Sequence, residues 1–102
     1  MPKLYEYLGL VVFFYSNEHE PIHVHIEYGN YVTIVELYME EGEVVEVSYK
    51  SKQNIEMLPS KQLKHAKELI EAKKDDIVEK WVDYFVKKKR VSPTIITKRL
   101  KS

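Results

Sequence analysis

Two histidines placed two positions apart carry the clearest chemical signal in the sequence. His23 and His25 lie in a stretch where apolar and polar residues alternate, which predicts a β-strand over residues 22–28. Alternate residues of a strand share a face, so the two Cβ atoms are about 7 Å apart on one side of the sheet. At that spacing the imidazoles can bind one divalent ion together with a carboxylate, or act as acid–base groups.

The strand that follows supplies a carboxylate. Gly29-Asn30 is typical of a two-residue hairpin turn, and this turn places His23 opposite Glu36 and His25 opposite Ile34. The candidate catalytic residues are His23, His25 and Glu36. The candidate metal ligands are His19, His23, His25 and Glu46, with zinc or manganese as the candidate cofactor. This pattern would suit a metal-dependent hydrolase or a ribonuclease.

The same histidine and glutamate also have a purely structural interpretation. A histidine opposite a glutamate on a half-exposed strand face is a favourable cross-strand pair, worth about 0.2–1 kcal/mol. No glycine-rich phosphate loop or nucleophile elbow accompanies the pair. The catalytic, metal-binding and structural interpretations of the pair therefore all stay open, and under the last of these the chain is a purely structural interaction protein.

Further strands are predicted on both sides of this hairpin. The apolar run over residues 10–15 predicts a buried strand, and residues 31–39 and 43–49 predict two more, joined by the three-residue loop Glu40-Glu41-Gly42. In the predicted register Leu37 faces Val45, Val35 faces Val47 and Thr33 faces Tyr49. The opposite face then carries a row made of His23, Glu36 and Glu46.

Apolar residues recur at helical spacing over residues 60–88. One helix of that length would be about 42 Å long, which exceeds the width of a small domain. We therefore predict two helices with a break near residues 73–76, where Asp75 caps the second helix. The predicted fold is a single α+β domain over residues 1–102. An antiparallel β-meander of about four strands (10–49) packs against two C-terminal helices (60–88), followed by a basic tail (89–102).

Charge is divided unevenly along a chain whose formal net charge is zero. Residues 1–49 carry a net charge of −8 and residues 50–102 carry +8. Such a division predicts association through the basic half, with nucleic acid, with a partner protein or with a second copy of the chain as a homo-oligomer. The candidate nucleic-acid contacts are Lys87, Lys88, Lys89, Arg90, Lys98, Arg99 and Lys101.

Composition narrows the classes of protein to which the chain could belong. The chain has no cysteine, which excludes disulfides and thiol catalysis and fits a reducing cytoplasm. The N-terminus shows no basic region followed by an apolar cleavable segment, and no apolar run approaches the roughly 20 residues of a spanning helix. We expect a cytoplasmic protein with no membrane partner.

Residues 13–29, FFYSNEHEPIHVHIEYG, resemble the signature of domain-of-unknown-function family 4160, a family of small prokaryotic proteins. The family usually has two prolines before the paired histidines, and here Ile22 takes the second of those positions. The resemblance extends from Gly9 to the helical segment that contains Trp81. The resemblance implies a regulator or a toxin–antitoxin-like component with a small partner protein encoded nearby. The family has no agreed activity.

Overall fold

A single sheet, covered on one face by one long helix, makes up the described part of the chain. The computed structural model describes residues 2–14 and 21–100. Within these residues, its elements are β1 Lys3–Tyr7, β2 Leu10–Phe14, β3 Ile22–Tyr28, β4 Tyr31–Glu40, β5 Glu43–Ser51, α1 Ser60–Trp81, a π-helical turn Val82–Val86 and β6 Thr94–Ile96. The strands lie in the order β5-β4-β3-β2-β1-β6. The predicted α+β class is therefore confirmed, with six strands rather than four.

The β3–β4 hairpin has the predicted register. Gly29 takes a φ of 57° at the turn, a conformation that glycine adopts without steric cost. His23 pairs with Glu36 and His25 pairs with Ile34, as the two-residue turn predicts. On the other face, alternating apolar residues such as Val24 are fully buried.

The register between β4 and β5 differs from the prediction by two residues. The turn is Glu41-Gly42, two residues with φ values of 52° and 82°, rather than the predicted three-residue loop. A bulge then makes Val45 an extra residue on β5. Each irregularity shifts the pairing by one residue, so the residues beyond the bulge keep their predicted faces, whereas Glu43 and Val44 lie on the faces opposite to those predicted. The observed pairs are Leu37 with Val47, Val35 with Tyr49 and Thr33 with Ser51, and the predicted pairings with Val45, Val47 and Tyr49 are wrong.

Two strands were not predicted, β1 and β6. The turn at Leu8-Gly9 pairs β1 with β2, and β6 lies parallel to β1 at the sheet edge. The end of the predicted basic tail is held by Tyr7, whose hydroxyl accepts a hydrogen bond from the Leu100 amide at 2.8 Å. Long-range contacts therefore order residues 94–100, and local sequence patterns do not report such contacts.

The predicted break in the helical region is absent. Helix α1 runs from Ser60 to Trp81 and continues into the π-helical turn, so the prediction of two helices is wrong. Asp76 forms an ion pair with Lys80 one turn later at 3.0 Å and accepts a hydrogen bond from the buried Tyr5 hydroxyl. Twenty-two residues span about 33 Å, which fits the longest molecular extent of 34 Å. Asp75, the predicted cap, is an exposed residue within this helix.

The two faces of the sheet have different environments. On one face, apolar side chains of β1 to β4 pack against Ala66, Leu69, Ile70 and Ile77 of α1. The opposite face, here called the open face, carries His23, His25 and Glu36. No helix in the described residues is both long and apolar enough to cross a membrane.

Replacing Asp75 with proline is expected to lower the free energy of unfolding by about 3 kcal/mol or more, because proline disrupts a helix interior. Ser60→Pro is the matched control, since the first helical position tolerates proline, and it should cost less than about 1 kcal/mol. Urea denaturation measures both changes. An Asp75→Pro variant as stable as Ser60→Pro would contradict a continuous helix.

Candidate functional site

The open face gathers a polar cluster around Glu36. His23 Nε2 lies 2.7 Å from Glu36 Oε2, so the predicted pair is a direct contact. The Lys50 ammonium donates to the same oxygen at 3.1 Å, and the Tyr38 hydroxyl donates to Oε1 at 3.1 Å. We name His23, Glu36, Tyr38 and Lys50 the Glu36 cluster. It joins β3, β4 and β5.

Three hydrogen bonds keep Glu36 ionised although its side chain is only 9% exposed. Burial alone would raise the pKa of this carboxyl, but donation from Lys50, Tyr38 and His23 holds the pKa below its usual value. An ionised carboxylate only accepts hydrogen bonds, so His23 Nε2 carries the proton. The lone pair of a neutral His23 ring then resides on Nδ1, the arrangement of a carboxylate-oriented general base.

His25 lies beside the cluster on β3, between Phe13 of β2 and Ile34 of β4. Burial, together with the nearby Lys52 and His23, lowers the pKa of His25 to about 4. A histidine with this pKa is neutral at physiological pH. It can therefore bind a ligand through a lone pair or a neutral N–H, but it supplies no positive charge.

The predicted metal ligands are not brought together as a set within the described residues. Glu46 lies opposite Tyr38, whereas Glu36 lies opposite Ser48, because of the two-residue shift in register. His19 is outside the described residues. Among residues 2–14 and 21–100, no group of three histidine or acidic side chains is positioned to hold a metal ion. The predicted row of His23, Glu36 and Glu46 is therefore wrong at its third member.

The candidate nucleic-acid contacts divide into two groups. Residues 87–90 are all exposed and follow the π-helical turn directly, and Lys98 is exposed after β6. Arg99 instead forms hydrogen bonds of 2.9 and 3.3 Å to the buried carboxylate of Glu68. This pair lowers the pKa of Glu68 and anchors the C-terminal segment to α1. Lys101 lies outside the described residues.

Sequence reasoning missed two members of the Glu36 cluster. Tyr38 is two residues from Glu36 on the same strand, so period-two alternation alone could have placed it on the same face. Lys50 reaches Glu36 only in the observed register, in which Lys50 pairs with Ile34. The wrong register of the β4–β5 hairpin therefore concealed this cation.

The fold and the cluster define a class: an α+β protein with a mostly antiparallel sheet, one face covered by a helix and the other carrying a histidine–glutamate site. Residues 9–82 match a domain of unknown function, DUF4160, which is the resemblance predicted from the sequence. Because this match spans more than half of the 102 residues, the chain belongs to the DUF4160 family. Neither a curated protein nor a solved structure matches the chain.

The depressed pKa of His25 predicts a pH-dependent stability. The unfolded chain binds a proton at His25 near pH 6.5, whereas the folded chain does so only near pH 4. The stability from neutral His25 is complete above pH 6.5 and is lost as pH falls toward 4.

Urea denaturation of wild type and His25→Asn at pH 7 and pH 4.5 measures the difference. Between pH 7 and pH 4.5, the free energy of unfolding of wild type should fall by about 1–3 kcal/mol more than that of the variant. Equal losses would show that His25 is not held neutral by the fold.

Proposed function

We propose that this protein is a small cytoplasmic regulatory module that binds nucleic acid through residues 87–90, here called the basic loop. The supporting observation is that Lys87, Lys88, Lys89 and Arg90 are consecutive and exposed. Within the described residues, only Lys87 has an acidic partner, Asp83, at 3.8 Å. Consecutive cations with little internal pairing are suited to neutralise successive phosphates.

The backbone positions the basic loop. The Lys87 amide donates to the Val82 carbonyl at 2.9 Å, and the Lys89 amide donates to the Asp83 carbonyl at 2.7 Å. Lys88 takes a left-handed φ of 58°, which turns the chain away from the π-helical turn. These bonds restrain the backbone of the loop, so less backbone entropy is lost on binding.

The proposed contact is smaller than the one predicted from the sequence. Arg99 is occupied by Glu68 in the folded protein, so the proposed site omits it. Truncation after residue 86 would remove β6 together with the Arg99–Glu68 and Tyr7–Leu100 contacts. Because such a truncation would alter the fold as well as the charge, substitution within the loop is the cleaner test.

Fluorescence anisotropy with mixed-sequence RNA and DNA oligonucleotides, measured across a salt series, tests the proposal. Replacing Lys88, Lys89 and Arg90 with glutamine should make the slope of log K against log salt shallower by about 2–3, because three phosphate contacts are lost. The matched control replaces the exposed Lys61, Lys64 and Lys67 of α1 with glutamine and removes the same charge.

The control variant should keep the wild-type slope. Equal losses in the two variants would indicate diffuse charge attraction and contradict a site at the basic loop. If wild type shows no binding at low salt but a protein encoded by a neighbouring gene binds through the loop, the nucleic-acid proposal is wrong and the loop is a protein contact.

A second candidate function is supported by the His23–Glu36 contact of 2.7 Å. We infer that the Glu36 cluster can support ribonuclease-type hydrolysis, with His23 as general base and Glu36 as the group that orients it. Lys50 is the lysine of the cluster and is 52% exposed, so its ammonium can stabilise a developing phosphoryl charge. The remaining structural interpretation treats the same contacts as support for the sheet alone.

RNA cleavage assayed with EDTA, and separately with zinc or manganese, tests this second function. His23→Gln should lower the cleavage rate by about 100-fold or more, the usual contribution of a general base. Glu46→Gln is the control, because Glu46 is on the same face but outside the cluster. Equal rates for wild type and His23→Gln, or no cleavage by either, would leave the cluster with a structural role.

A further inference from the structure

We propose that two copies of this chain pair through their β5 strands to form a symmetric dimer with one continuous sheet. The strand order leaves β5, with nine residues, at one edge of the sheet and the three-residue β6 at the other. No described strand pairs with the outer side of β5. A long edge strand of this kind presents backbone groups that can pair with another strand.

Twofold symmetry restricts the register of such a dimer. Two copies of one strand related by a twofold axis run antiparallel, and residues opposite each other must share a face of the sheet. A pairing centred on Ser48 satisfies this condition. It uses residues 46–50, which lie beyond the bulge at Val45, so the paired backbone is regular.

Charge complementarity favours a second copy as the occupant of this edge. In the pairing centred on Ser48, Glu46 of each copy lies opposite Lys50 of the other on the open face. Two opposite-charge pairs therefore form across one interface. The strand is acidic at its start, with Glu43 and Glu46, and basic at Lys50. This order makes β5 complementary to itself when it runs antiparallel.

Apolar residues on the other face support the same register. Val47 and Tyr49 face the helix side and are half-buried in the single chain. The proposed pairing places Val47 of each copy opposite Tyr49 of the other. A cross-strand pair of an aromatic and a β-branched side chain stabilises antiparallel strands. These two residues also line a groove with Leu63 of α1, where the ring of the opposing copy can pack.

The bond between Lys50 and Glu36 on the open face is compatible with this interface. Lys50 already donates to Glu36, yet it is 52% exposed and its ammonium has three donors. It can therefore keep the bond to Glu36 and pair with Glu46 of the second copy. The dimer would place two Glu36 clusters on one continuous face, close to the twofold axis.

A charge-exchange experiment tests the proposal. Wild type, Glu46→Lys and Lys50→Glu are compared by sedimentation velocity, with circular dichroism to confirm folding. Wild type should sediment at twice the 12.2 kDa chain mass. Each variant should be monomeric because its self-pairing places like charges opposite each other. An equimolar mixture should form a heterodimer, because each pair then regains opposite charges, and native mass spectrometry identifies it.

Two further variants control for folding and register. Lys52→Glu makes the same charge change two residues away and should remain dimeric, since Lys52 is not opposite Glu46 in this pairing. Ser48→Lys places two lysines opposite each other at the axis while adding a cation across from Glu36, so it should fold and yet be monomeric. A monomeric wild type, a folded mixture that stays monomeric, or disruption by Lys52→Glu instead of Lys50→Glu would overturn the proposal.

Discussion

The need to satisfy one nearly buried carboxylate organises the open face of this protein. Glu36 is on β4, flanked by β3 and β5, and its donors come from all three strands: His23, Tyr38 and Lys50. A buried carboxylate without donors would carry a large desolvation cost. Since Lys50 and His23 reach Glu36 only in the observed registers, the charge network and the strand alignment stabilise each other. The same network fixes the orientation of the His23 ring.

The face of the sheet that packs against α1 imposes a second constraint. Because α1 covers that face with apolar contacts, polar and charged side chains are concentrated on the open face, on the loops and on the edges of the sheet. The basic loop emerges where the helical region ends, the Glu36 cluster occupies the open face, and β5 forms one edge. Lys50 belongs to both of the last two, so strand pairing and cluster chemistry are expected to influence each other in this DUF4160 protein.

Local signals predicted the β3–β4 hairpin because a two-residue turn and strict alternation both specify its register. The β4–β5 register was not predictable in the same way, since a shorter turn and a bulge at Val45 each shift it by one residue, and together they leave the facial pattern beyond the bulge unchanged. Strand β6 depends on its pairing with β1 and on the bonds from Arg99 to Glu68 and from Leu100 to Tyr7, partners that are distant from β6 in sequence. The polar run at 73–76 resembles a helix break but is stabilised within α1 by Tyr5 and Lys80.

The donors around Glu36 hold its carboxylate in the ionised form. The most direct measurement is the titration of the Glu36 side-chain carboxyl carbon by NMR in the folded protein and in Lys50→Gln. The titration midpoint of Glu36 should lie below the ordinary value of 4.5 in wild type and should be higher in the variant. A wild-type midpoint at or above 4.5, unchanged by the loss of Lys50, would contradict it.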